Sequence, residues 1–272
     1  NNTDKSVNFG VQANETDKLA SFGYKSKKIG ALVGTDFEYL EDFRLGLNAS
    51  TFLEDIETDS TASTRQKKQE GNYFDTYLKF DFDYDKRNQK FQTSDGFRSY
   101  YSIDLPIVSD NNTLTNFYNY KTFSELYENN ISSFSLTLSS ANSLTGDDIK
   151  LSERLYIPGR KLRGFESGKI GPKDGSDYIG GNYVSSINAT TTLPKVLENA
   201  QNVDIVVFAD AANIWGVDYD SSLDKSGIRS SVGIGLDWLT PVGPLTFSFA
   251  QPITKEPTDI EETFRFNIGT SF

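Results

Sequence analysis

Three pairs of acidic side chains are the groups whose types could hold a cation or share a proton: Asp81 with Asp83, Asp147 with Asp148, and Glu261 with Glu262. Two neighbouring carboxylates can split into an acid and a base, and a set of carboxylate oxygens can ligate calcium. The calcium loop needs an Asp-x-Asp-x-Asp-Gly run followed by a spaced Glu, and none is present. The pairs therefore read as solvated or inward-facing polar surface, and no metal is assigned. His, Cys and Met are all absent from the 272 residues. The commonest general base and metal ligand is thus missing, as are thiolate sites and disulfides. No nucleotide site or cofactor is indicated, and a non-enzymatic protein is expected.

The net charge of −11 argues against nucleic acid as a partner, because phosphates need a basic patch. Phe and Tyr are abundant, with 20 and 14 copies. That mixture, beside many Asn, Ser and Thr, suits a membrane barrel with aromatic girdles and polar loops. No run of 18 apolar residues occurs, so no transmembrane helix is expected. The absence of Met and the polar opening suggest an internal-to-C-terminal piece of a longer precursor.

The elements that must carry any site show a period of two. Phe264, Phe266, Ile268, Thr270 and Phe272 alternate with Arg265, Asn267, Gly269 and Ser271. Nine residues is about the length at which a tilted strand crosses a bilayer, with the apolar face on lipid and the polar face on a wet lumen. The same alternation would suit the last strand of a soluble sheet. Earlier runs repeat it: roughly 6–14, 27–40, 42–56, 73–87, 97–107, 114–126, 130–141, 183–193, 203–214, 227–239 and 245–253. About twelve strands joined by short turns imply an all-β, antiparallel up-and-down transmembrane barrel. The run 6–14 reads as polar on both faces and as a poor lipid-facing wall. Residues 57–71 read as a solvent loop or short disordered insertion. Residues 142–182 break the rhythm with Pro-Gly and Gly-Gly clusters, and a segment of that length is normally functional. Small residues at Gly233 and Gly235 leave room for it inside the barrel.

Four ordered motifs make the chain resemble the BamA-type outer-membrane assembly factors. Leu162-Arg163-Gly164-Phe165, Ile170-Gly171-Pro172 and Gly180-Gly181-Asn182 resemble that family's sixth extracellular loop. The run Trp238 to Leu245, with Phe247 to Pro252, resembles its penultimate hairpin, and residues 264–272 its C-terminal β-signal. Thr93-Ser94-Asp95-Gly96 resembles a periplasmic turn of the same barrel. The resemblance implies that residues 1–272 are the C-terminal part of a barrel that has sixteen strands in the family. The first four strands and the upstream POTRA domains would then be missing. It also implies that loop 142–182 is lumen-directed and that Arg163 bonds a wall carboxylate. Asp210 has the right parity, sharing a face with Asp204, Val206 and Phe208. The family's second acid aligns with Thr191, leaving a lock of one carboxylate. Gly164 and Gly171 are expected to permit tight turns and Phe165 to pack on the wall. In the β-signal, Gly269 is expected to weaken pairing at a seam that opens sideways.

The implied function is assembly and insertion of β-barrel proteins into the bacterial outer membrane by templating client strands at that seam. The implied partners are outer-membrane lipids, unfolded client barrels and assembly-complex lipoproteins acting through the missing upstream domains. A polypeptide translocation pore of the same superfamily is the alternative. Outer-membrane phospholipases and proteases use His, which this chain lacks.

Overall fold

The computed structural model describes residues 5–90, 92–127, 130–193, 202–224, 226–241 and 243–268. The chain runs up and down through β1 (Lys5–Lys18), β2 (Tyr24–Leu40), β3 (Phe43–Thr58), β4 (Gly71–Asp85), β5 (Gly96–Ser109), β6 (Thr113–Tyr127) and β7 (Asn130–Ser143). A long loop carries the two-residue strands β8 (Gly164–Phe165), β9 (Lys173–Asp174) and β10 (Asp177–Tyr178). The walls resume with β11 (Tyr183–Thr192), β12 (Val203–Trp215), β13 (Arg229–Thr240) and β14 (Gly243–Thr254). The two-residue β15 (Glu261–Glu262) precedes β16 (Phe264–Ile268). Twelve of these strands form one antiparallel sheet in chain order from β1 to β16, with β11 following β7 directly.

Because the strands alternate in direction, their connections alternate between two ends. The long loop shares its end with segments 19–23, 59–70, 110–112, 216–228 and 255–260. Segment 19–23 contains a single helical turn, α1 (Leu19–Phe22). The segment read as solvent loop or disordered insertion is instead a folded cap. Ser63 and Gln66 close a capping box around the turn α2 (Thr64–Lys67). Gln66 is fully buried, and Gln69 accepts a bond from Leu151 N at 2.8 Å. The polar composition of 57–71 serves this capping, which leaves no periodicity to read.

Faces are sorted in the sense opposite to a soluble barrel. Ser26, Glu54, Asp75, Ser135, Thr137, Ser186, Asp210, Arg229, Ser231 and Ser248 are buried inward. Phe9, Ile29, Val33, Phe134, Val232, Trp238, Phe249, Phe264 and Ile268 stand exposed outward. β1 corrects its sequence reading here. Val7, Phe9 and Val11 are 77%, 87% and 85% exposed on one side, whereas Ser6, Asn8, Gly10 and Gln12 take the other. The strand alternates like its neighbours, and its outward face is apolar. Among the described residues β1 pairs only with β2 and β16 only with β14, so the sheet is open and no ladder joins 6–14 to 264–268.

The apolar core lies inside, between the long loop and the wall. Ile157, Leu162, Phe165 and Ile170 of the loop pack with Val184 of β11 and Ala212 and Ile214 of β12. A second cluster joins Phe22, Tyr24, Leu151 and Tyr178. One loop therefore contacts strands at both ends of the twelve-strand order, which requires the sheet to curl around it.

Candidate functional site

The long loop reaches the wall through Arg163. Its Nε and Nη2 donate to Asp210 Oδ2 and Oδ1, each at 2.7 Å, and its backbone N donates to Oδ2 at 3.1 Å. The guanidinium thus uses its planar fork on both carboxylate oxygens, which a lysine cannot do. Asp210 is fully buried and also accepts from Asn188 Nδ2 at 2.9 Å. Below the fork lies the Phe208 ring, with the guanidinium carbon 3.4 Å from its centroid. The ring sits where a side chain at position 233 would stand, since a Cβ on Gly233 would overlap it. The small inward residue therefore admits an aromatic shelf, and the shelf carries the loop cation.

Neighbouring loop atoms tie the same segment to the C-terminal strands. Ser231 of β13 donates to Arg163 O. Gly164 has φ +93°, and a Cβ there would stand 3.3 Å from both Ala250 and Ser231. A side chain at that left-handed position would be strained and crowded. Gly164 and Phe165 pair as β8 with Glu262 and Glu261 of β15, so that acidic pair is a short strand partner. Phe165 itself is 1% exposed in the loop core. Gly171 has φ +94°, and a Cβ there would come within 2.5 Å of Ile214 Cγ2.

Sequence reading did not find the second set of ties. Lys150 is 1% exposed and pairs with Glu54 of β3 at 3.4 Å, Glu153 at 3.1 Å and Asp75 of β4. Glu153 in turn accepts from Tyr77 at 2.6 Å. Arg154 pairs with Asp218 and donates to Asn182 Oδ1 at 3.2 Å. The side chains of Arg229 and Asp259, both fully buried, meet at 2.9 Å, and Asp259 accepts from Gly171 N at 3.3 Å.

Burial shapes the titration of the loop. Lys150 is raised because its carboxylate neighbours outweigh burial, which by itself lowers it. Lys161 falls to about 8, first through burial, then through Lys121 and Arg160, which together outweigh the pull of Asp210. Tyr156 is raised well above its ordinary value, chiefly by burial.

The structure places the remaining expected residues as follows. Phe264, Phe266 and Ile268 face outward, opposite Phe249, Phe247 and Leu245. Gly269 and Phe272 lie outside the described residues. Thr191, taken as the position of a second acid, is on the outward face, where it accepts from Ser132 or donates to it at 2.7 Å. The inward positions are Asn188 and Thr190; Asn188 stands directly opposite Asp210, and Thr190 lies 3.4 Å from Arg163 Nη2. An odd offset along a strand exchanges its two faces. Of the other acidic pairs, Asp83 is forked by Arg98 at 2.8 and 2.9 Å, and Asp81 accepts from Asn48 at 3.1 Å. Asp147 accepts from Thr145 at 2.5 Å. Among the described residues no acidic group is arranged to hold a metal ion.

Three comparisons bear on this geometry. A family model described as the Omp85 superfamily domain matches residues 1–272. The outer membrane protein assembly factor BamA of Neisseria meningitidis serogroup B is 33% identical over 154 residues, which is 46% of this chain and 19% of that protein. The chain thus spans about a fifth of that relative's length. Among solved structures, BamA from Haemophilus ducreyi lacking POTRA domains 1–3 superposes with a TM-score of 0.87 at 24% identity. The overlap takes in 96% of this chain and 58% of that one. CdiB from Acinetobacter baumannii gives 0.60 at 12% identity, over 97% and 47% of the two chains.

Proposed function

The chain belongs to the Omp85 superfamily, and from that membership we infer that it is part of a bacterial outer-membrane barrel that assembles other β-barrel proteins. The assembly-factor name of the Neisseria relative supports assembly over polypeptide translocation. The sorting of faces supports a membrane wall: apolar side chains outward onto lipid, polar ones inward. In this reading the twelve strands are the C-terminal part of a larger barrel, because an open edge in lipid leaves backbone groups unsatisfied at several kcal/mol each. The partners are outer-membrane lipids and unfolded client barrels, with assembly-complex lipoproteins engaging domains outside this segment. The reading assigns no catalysis and no cofactor.

The observation that carries it is the Arg163 fork on Asp210, which seats the long loop against β12. With the loop seated, the sheet keeps one curvature while its terminal strand stays at an edge. An unpaired edge templates another chain, and a client's C-terminal strand would augment it through main-chain hydrogen bonds. The acceptor here is the strand that bears Phe264, Phe266 and Ile268.

The test is insertion of an unfolded client barrel into lipid vesicles carrying the full-length protein. Wild type should speed acquisition of protease resistance relative to empty vesicles. Arg163→Ala should lose most of that effect, and Arg163→Lys less of it, since Lys keeps the charge but not the fork. Equal rates with empty and loaded vesicles would remove the assembly reading.

A further inference from the structure

Arg265 sits on the inward face of β16, yet its bonds go to the long loop and to β15. Its Nη2 donates to Phe165 O at 2.7 Å, and its Nε donates to Glu262 Oε2 at 2.8 Å. Glu262 is the β15 residue opposite Gly164. The Arg265 side chain is only 11% exposed. Room for it comes from Gly159, where a Cβ would overlap the guanidinium. The described part of β16 is joined to the sheet by five residue pairs with β14. The shortest other ladders of the main sheet have nine. Among the described residues the main-sheet strand with the fewest pairs therefore has a buried, charge-assisted contact outside its own ladder, made to the residue two positions after Arg163.

We propose that Arg265 is a latch that couples seating of the long loop to attachment of the terminal strand. This rests on the assembly reading and adds the residue that would regulate its edge. With the loop seated, Phe165 O and Glu262 hold Arg265, and β16 stays on β14. When the loop withdraws, Phe165 O leaves with it, and the strand keeps its ladder with β14 and the local pair of Arg265 with Glu262. A client strand then meets an edge that peels more readily. Arg265 acts here as a positioning residue; it need not touch the client.

Coupling between two sites is reciprocal in free energy, and that separates a latch from a merely local prop. The measurement is amide hydrogen exchange on the full-length protein in detergent, without client. Arg265→Gln should speed exchange at 264–268 and at 160–170 together, by roughly tenfold for loss of one hydrogen bond to a charged group. Arg265→Lys should restore part of the protection at 264–268. Gly159→Ala should reproduce the effect with β16 intact, because its backbone is outside the left-handed region and the displaced atoms are the end of a flexible side chain. Arg163→Ala, which touches nothing on β16, should also speed exchange at 264–268. If Arg163→Ala leaves 264–268 at the wild-type rate, the coupling is overturned. So it is if Gly159→Ala or Arg265→Gln alters 264–268 while 160–170 stays protected. Either result leaves the assembly reading intact, because no client is present. Coupled exchange in a protein that cannot insert clients would sink only that reading.

Discussion

Asp210→Ala is the sharpest perturbation of the loop's seat. It removes both 2.7 Å bonds to the Arg163 side chain, the 3.1 Å bond from the Arg163 amide, and one of the two acceptors of Asn188 Nδ2. Breaking a buried ion pair from one side costs about 3–5 kcal/mol, most of it from the charge left behind. Arg163 retains 16% side-chain exposure, so it can regain some water, and the lower end applies. About 3 kcal/mol is roughly a 150-fold shift in the ratio of released to seated loop, at about 1.36 kcal/mol per tenfold. The chain has no cysteine, so one thiol can report on the loop alone. Ile170 is 2% exposed in the loop core, and Ile170→Cys gives a thiol that reacts only when the loop lifts. Its maleimide labelling rate should rise about 100-fold in the Asp210→Ala background. A rise below about threefold would mean that the fork does not hold the loop, and the reasoning from burial and geometry would fail.

Phe208→Ala removes the ring 3.4 Å beneath the guanidinium; loss of the desolvated cation–π contact, about 2 kcal/mol, should speed the same labelling roughly 30-fold, and Phe208→Trp should retain most of the protection. Lys150→Met leaves Asp75 buried without its cation and Glu54 with Lys28 alone, so the urea midpoint of the folded barrel should drop, by about 3 kcal/mol of stability; an unchanged midpoint would show that β3 and β4 are held by other means. Lys161 has a folded value of about 8 and an unfolded value of about 10.4, so between these the unfolded chain binds more protons and stability should rise with pH; Lys161→Met should abolish that slope, which a melting series from pH 7 to 10.5 would measure. Gly171→Ala should destabilise the loop by at least 1 kcal/mol, read as faster labelling at Ile170→Cys, because φ is +94° and Ile214 blocks the Cβ.

Most of the wall was legible because the period-two signal is local. Val232, Ile234, Leu236 and Trp238 against Ser231, Gly233, Gly235 and Asp237 state both faces of β13 without reference to any partner. The same rule gave Asp210 its inward parity. Its failures have physical causes. In β1 the alternation of Val7, Phe9 and Val11 is diluted by Gly10 and by abundant Asn, and the apolar face is easily overlooked. Asn188 was missed because attention fell on Thr191, three positions on, and an odd offset in a strand exchanges lipid and lumen. The Lys150, Arg154 and Arg229 pairs were illegible because each depends on partners some 30 to 100 positions away, whereas the Ser63-x-x-Gln66 signature of the cap at 57–71 is local and was overlooked. No local pattern records such a contact. Arg265 looked like an ordinary polar-face residue, and only the path of the loop brings Phe165 O to it.

The central claim is that the terminal strand receives a client's strand at its edge. Single cysteines in the cysteine-free chain test it directly. One replaces Asn267 on β16 and a control replaces Asn119 on β6, each paired with a cysteine in the last strand of an unfolded client. The account predicts that a thiol oxidant added during insertion joins the client to position 267 through a disulfide, and that the same oxidant added after the client completes does not. It predicts none at position 119. Equal yields at the two positions, or no adduct at position 267 while insertion proceeds, would contradict it.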